Sequence, residues 1–172
     1  RIPAVALTAI AALLGFAEAR AELELPCVYG DYMVLQQKSS VPIWGWDTPY
    51  QAVAISCSWG AKASATADAS GCWKTTIDTP GAGGPHQVAV VGSSTKTLRD
   101  VLSGEVWLCS GQSNMEMTVA GSRNSREEIA NGRYPQIRHI KAPHRPHSVK
   151  QTRLNATWQT CSLLTVSPAR LC

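Results

Sequence analysis

No run of lysines or arginines occurs in these 172 residues, and 16 basic side chains lie scattered among 12 acidic ones for a net charge of +4. So mild and unfocused a charge gives no stripe that could track phosphates, and no nucleic-acid motif accompanies it, so nucleic-acid partners are excluded. Charged residues are also scarce, 16% against 44% apolar, which is the balance of a globular chain rather than a disordered one. No C-x-x-C spacing appears among the six cysteines, so a structural zinc site is not expected. His139, His144 and His147 would make a metal site only if something fixed them on one face, and no pattern does; neither a metal nor a cofactor is expected. The apolar stretch from Ile2 to Phe16 falls short of the roughly 20 residues a membrane span needs, so no span is expected.

That stretch, with Arg1 before it and Ala17-Glu18-Ala19 after it, reads instead as a secretory signal peptide, residues 1–21, cleaved after Ala19 or Ala21. A buried N-terminal helix is the alternative. Because the chain opens on Arg1 rather than Met, its start is expected to lie further upstream. Secretion, to a lysosomal or extracellular destination, favours oxidised cysteines. Six cysteines allow 15 full pairings; Cys57 with Cys72, on consecutive expected strands, is the pairing singled out, while Cys109 is expected buried and reduced. Asn155-Ala156-Thr157 is a glycosylation sequon that agrees with this compartment.

From Glu24 to Asp100 no helical periodicity appears. Short β-prone runs, 41–46, 52–56, 73–77, 87–91 and 96–98, alternate with turn segments such as Asp47-Thr48-Pro49 and Pro80-Gly81-Ala82-Gly83-Gly84-Pro85. Regular spacing of this kind predicts an antiparallel β-sandwich over residues 22–102. Trp44, Trp46 and Trp73 are either its core or a platform for stacking sugars. From Ser103 the pattern changes. A strand is expected over 105–109, a helix over Ser125–Ala130 with Ser125 and Glu128 as capping box and Asn131-Gly132 as stop, and a second strand near Ile137–Ile140. Strand–turn–helix–strand opens an α/β unit with a parallel sheet over residues 103–172. Two strands and one helix are too little to cover such a sheet on both faces. The expected class is therefore mixed α and β, with an incomplete second domain.

Between that strand and that helix lies Ser110-Gly111-Gln112-Ser113-Asn114-Met115. A serine on a tight turn at a strand's carboxyl end is pushed out of the backbone, and nearby N–H groups lie where an oxyanion would form, a geometry suited to acyl transfer. A serine there also serves as a plain helix cap. Gln112 either orders the turn, touches substrate or makes a local backbone hydrogen bond, and Asn114 either orders the oxyanion region or caps the following turn.

The longer string Asp100 to Val119, together with Asp31-Tyr32-Met33-Val34-Leu35-Gln36-Gln37, Val41-Pro42-Ile43-Trp44-Gly45-Trp46 and Gly83-Gly84-Pro85, closely resembles sialate O-acetylesterases, members of the SGNH hydrolase superfamily. The resemblance covers roughly residues 24–160. It implies a three-layer α/β/α hydrolase domain, Ser113 as nucleophile and backbone oxyanion donor with Gly111, Gln112 and Asn114 as its neighbours, and O-acetylated sialic acid or a related acetylated sugar as substrate. It also implies a base, the His of a D-x-x-H pair, and further oxyanion donors from later blocks. No Asp in this chain has a His three residues on, and after Trp158–Ser162 the sequence drifts from the family pattern. The expectation is a truncated product with little activity, since losing the base removes on the order of 10⁶ in turnover. A second reading is a non-enzymatic carbohydrate-binding or interaction module formed by the sandwich. Protein partners are not indicated.

Overall fold

The computed structural model describes residues 22–143, 148, 149, 151, 153–163 and 165. The expected signal peptide, His144, His147 and Cys172 lie outside the described residues. Nine strands and one α-helix are formed among them: β1 (Val34–Gln36), β2 (Ser40–Trp46), β3 (Ala52–Cys57), β4 (Lys62–Thr66), β5 (Cys72–Asp78), β6 (Gly83–Val91), β7 (Thr95–Gly104), α1 (Ser125–Asn131), β8 (Tyr134–Ile140) and β9 (Trp158–Cys161). The molecule is thus mixed, with mostly strands and one α-helix.

Two sheets share one core. A five-stranded sheet runs β1-β7-β6-β3-β4, and β2 pairs with β5 in a second, two-stranded sheet. Pairing is antiparallel except between β1 and β7, which are parallel; the expectation of antiparallel pairing throughout is corrected at that edge. Alternation places Val53, Ile55 and Cys57 of β3 and Val88 and Val90 of β6 inward, where they meet Ile43 of β2 and Trp73 and Ile77 of β5. Gly45 lies directly opposite Trp73 in the β2–β5 register. Its missing side chain matters, because a Cβ there would lie 2.9 Å from Trp73 Cζ2 and well inside van der Waals contact of the Glu24 carbonyl oxygen.

On β7 the alternation slips. Leu98 faces inward, but so do Val101 and Ser103. His86 pairs with Val101 and Val88 with Leu98, so Gln87 alone on β6 opposes both Arg99 and Asp100 on β7. The extra residue is a β-bulge, and Asp100 within this stretch takes the left-handed conformation, φ 53°. Asp31 holds the stretch in place by accepting the Arg99 N–H at 2.7 Å, while the Tyr32 N–H donates to the Arg99 carbonyl at 2.9 Å.

Among the described residues that are buried as a whole, Asp47 is the one with a charged side chain, 1% exposed. Its carboxylate accepts the N–H of Thr48 at 2.7 Å and that of Ser93 at 3.0 Å, tying the turn after β2 to the turn after β6.

Beyond β7 three expectations are corrected. Residues 105–111 form no strand: β7 ends at Gly104, and Trp107 and Leu108 stand 80% and 94% exposed. An apolar run forms a strand only when a neighbouring backbone takes up its hydrogen bonds, and none of the described strands pairs with it. Helix α1 forms, but its N-cap is Asn124, left-handed and without a side-chain cap bond, so Ser125 and Glu128 make no capping box. The second strand, β8, pairs antiparallel with β9 rather than opening a parallel sheet.

The hairpin β8–β9 is fastened back onto the earlier sheets. Arg138 Nη2 reaches Asp100 Oδ1 at 3.0 Å, and its guanidinium lies 5.4 Å from the Tyr32 ring centroid. The Arg153 guanidinium grips both carboxylate oxygens of Glu24, at 2.9 and 3.0 Å, and Trp158 Nε1 donates to the Val28 carbonyl at 2.9 Å.

Candidate active site

Ser113 opens a single turn of 3-10 helix, Ser113–Glu116, and is exposed. The turn that contains Ser113 closes through the Met115 N–H, which donates to the Gln112 carbonyl at 2.9 Å. Gly111 makes room for this: a Cβ there would sit 2.7 Å from Met115 Cγ. Gln112 is exposed, and the backbone of Asn114 lies within the helical turn.

The histidines are placed elsewhere. His86 lies on β6 with its ring edge-on to Trp59, centroids 5.1 Å apart, and its Nε2 is buried without a hydrogen-bond partner. His139 sits half-buried on β8. Among the described residues no three His, Cys, Asp or Glu side chains converge in a way that could hold a metal ion. A shallow, open depression is lined by Asn124, Ser125, Arg126 and Glu127 on the first turn of α1.

The cysteine expectations are overturned. Cys57 and Cys72 are both free. They belong to different sheets, with β4 between them in sequence, and Cys57 points into the core while Cys72 faces solvent. Burial pushes the Cys57 thiol up to about 11. Cys109, expected buried and reduced, is exposed and disulfide-bonded, because the stretch that carries it is not a buried strand.

The tryptophans do not form an open platform. Trp73 is buried in the core, Trp44 meets Tyr29 edge-on at 4.9 Å, and the Arg153 guanidinium covers Trp46 at 4.2 Å.

Sequence reasoning missed the contacts that hold the start of the segment leading to Ser113. Gln37 Nε2 donates to Glu105 Oε1 at 2.8 Å, and Gln36 Nε2 reaches Glu105 Oε2 at 3.3 Å. Gln36 Oε1 in turn accepts the Val106 N–H at 3.0 Å. The hydrogen bond from Gln37, then that from Gln36, holds the Glu105 carboxyl below the usual glutamate range. These glutamines lie inside the string 31–37 that carries the resemblance, which was the only signal pointing to them.

No protein-family model matches the chain. It is 40% identical over 111 residues to the sialate O-acetylesterase of Mus musculus and 39% identical over 110 residues to that of Homo sapiens, in each case over 58% of this chain. It spans about a fifth of the length of these relatives, 20% and 21%. In fold it is similar to a carbohydrate acetylesterase from Xanthomonas citri, with a TM-score of 0.81 and 34% identity, over 86% of this chain and 34% of that one. The resemblance carried by residues 31–37 and 100–119 therefore holds: in sequence this chain is similar to sialate O-acetylesterases, and in fold to a carbohydrate acetylesterase.

Proposed function

We propose that this chain carries the nucleophile segment of a carboxylic ester hydrolase that removes O-acetyl groups from sialic acids or related acetylated sugars. The observation that carries the reading is Ser113, exposed at the start of a helical turn, within a string like that of enzymes named for this chemistry. In the proposed reaction Ser113 Oγ attacks the acetyl carbonyl, its proton passes to a base, and the sugar hydroxyl leaves with a proton. Water then hydrolyses the acetyl-enzyme to acetate and regenerates the serine. The backbone N–H of Ser113 donates to the oxyanion, and Gly111, Gln112 and Asn114 shape the turn that aims it.

In this reading residues 22–102 are a β-sandwich domain and residues 103–172 the opening of an SGNH-type α/β hydrolase domain. Residues 1–21 direct the protein into the secretory pathway, to a lysosome or the cell exterior, where the exposed Asn155 accepts a glycan. Within the 172 residues no Asp-x-x-His supplies the base. Serine-dependent turnover by this chain alone is therefore expected about 10⁶-fold below that of an enzyme with its base in place. Hydrolysis of O-acetylated sialic acid and of acetylated xylan, by the chain and by Ser113→Ala, tests the reading. Turnover at ordinary enzyme rates that Ser113→Ala abolishes overturns the low-activity part. Turnover that Ser113→Ala leaves unchanged overturns the nucleophile.

A further inference from the structure

The segment that carries Ser113 leaves the β-core and returns to it at neighbouring places. It leaves after Gly104, the last residue of β7, and it comes back at Arg138, which is bound to Asp100 on the same strand. Four residues of extended chain separate the two points, about 13 Å. Both are served by one stretch, Asp31–Gln37, which runs beside β7 through the parallel register Val34↔Leu102, Leu35↔Ser103 and Gln36↔Gly104. At its far end Gln36 and Gln37 hold Glu105 and Val106. Gln37 is itself fixed, since its Oε1 accepts the Ala82 N–H at 2.8 Å and its own N–H donates to the Gly104 carbonyl at 2.9 Å.

At its near end Asp31 and Tyr32 grip the bulge in β7 through the backbone of Arg99. The bulge shifts the strand by one residue, and shifts of this kind re-aim side chains; here Asp100 meets Arg138. The Arg138 side chain is 5% exposed, and its Nε is used as well, donating to the Pro135 carbonyl at 2.7 Å. The contact thus sets an almost buried guanidinium against a carboxylate that is 38% exposed, an aromatic face and a carbonyl, with Arg138 Nη1 buried and unpartnered, so removing the carboxylate would leave that buried charge uncompensated.

We propose that Asp31–Gln37 is a brace that fastens both ends of the serine-bearing excursion, residues 105–138, to β7: Gln36 and Gln37 hold the outgoing end through Glu105, and Tyr32 with Asp100 holds the returning end through Arg138. These are positioning residues. Pinning both ends of a loop removes part of its conformational freedom and narrows the region its interior, Ser113 included, can reach relative to the sheets. The functional meaning rests on Ser113 being the nucleophile, but the mechanical claim does not.

The test is amide exchange followed by NMR on the full chain, with the Cys109 disulfide left intact. Gln37→Glu keeps the acceptor for Ala82 but sets a like charge against Glu105. Exchange of the Val106 amide is expected to quicken about tenfold, the scale of one lost hydrogen bond. The double variant Gln37→Glu/Glu105→Gln, which restores a donor–acceptor pair, is expected to return it to within about twofold of the parent. Asp100→Asn keeps a residue that tolerates the left-handed conformation and removes the charge. It is expected to shift the Arg138 Nε–H resonance and to quicken β8, while β3 and β6 stay unchanged. The proposal is overturned if Val106 and β8 are unaffected, if the double variant is no better than the single, or if β3 and β6 quicken equally. Turnover is not read here, so failure of the esterase reading and failure of the brace are separate results.

Discussion

Arg153 covers the ring of Trp46, its guanidinium carbon 4.2 Å from the ring centroid, while the same guanidinium holds both oxygens of Glu24. One side chain near β9 therefore joins the residue before the first sheets to the last residue of β2. Hydrogen bonding to Arg153 lowers the Glu24 carboxyl below its usual range, and Gln37 does the same for Glu105. Asp68 is lowered chiefly by the Ser70 hydroxyl.

These three depressed carboxyls, all near the surface, make a small, solvent-screened contribution of one sign to the acid response. Each is ionised more readily in the folded chain than in the unfolded one, so their contribution is fully present at neutral pH. It drains away as pH falls from about 5 through the folded values. The thermal midpoint should hold level from pH 7 to about 5 and fall below that. Arg153→Gln should flatten the fall, and added salt should weaken the parent more than the variant. A midpoint that rises on acidification would contradict the assignment.

Gly45→Ala tests the close approach of β2, Trp73 and Glu24. A methyl group has no free space there, so strands or indole must shift, at about 1–3 kcal/mol. Gly30→Ala, where a Cβ meets nothing within 4 Å, is the control and should stay within about 0.5 kcal/mol. Urea unfolding of both variants measures the difference, and equal costs would refute the packing account.

The free thiols make a third prediction. With the Cys109 disulfide intact, an aromatic disulfide reagent at pH 8 should label exposed Cys72 rapidly and leave Cys57 untouched until the chain unfolds. Thiolate is the reactive form, and Cys57 is both buried and raised to about 11. A peptide map showing Cys57 joined to Cys72 would refute it.

The strands up to Asp100 were readable because their alternation has a packed core behind it. Val53 and Ile55 point inward as their spacing says, as do Val88 and Val90. β4 was missed because Lys62-Ala63-Ser64-Ala65-Thr66 carries only small and polar side chains, and its place comes from pairing with β3 rather than from its own pattern. β9, four residues long, is likewise defined by its partner β8.

Around the candidate site the same logic ran in reverse. Val106-Trp107-Leu108 has the apolar content of a buried strand, yet strand formation is a property of two backbones, and a single run says nothing of the second. The turn at Ser113 was legible because a small-residue turn leaves its mark in sequence. The contacts that hold its segment, Gln37 with Glu105 and Asp100 with Arg138, were not, since each joins residues distant in the chain. Polar pairing across such separations follows from topology, in this case from a bulge that no composition announces.

The parallel seam between β1 and β7 has a consequence for synthesis. Gln36 and Glu105 are 69 positions apart. On a ribosome adding about 5–20 residues each second, the earlier strand waits roughly 3–14 s for its mate. Through that interval its edge stays open, guarded by its brevity of three residues. The outgoing anchor at Glu105 is therefore made before the serine turn, and the returning anchor at Arg138 only after it.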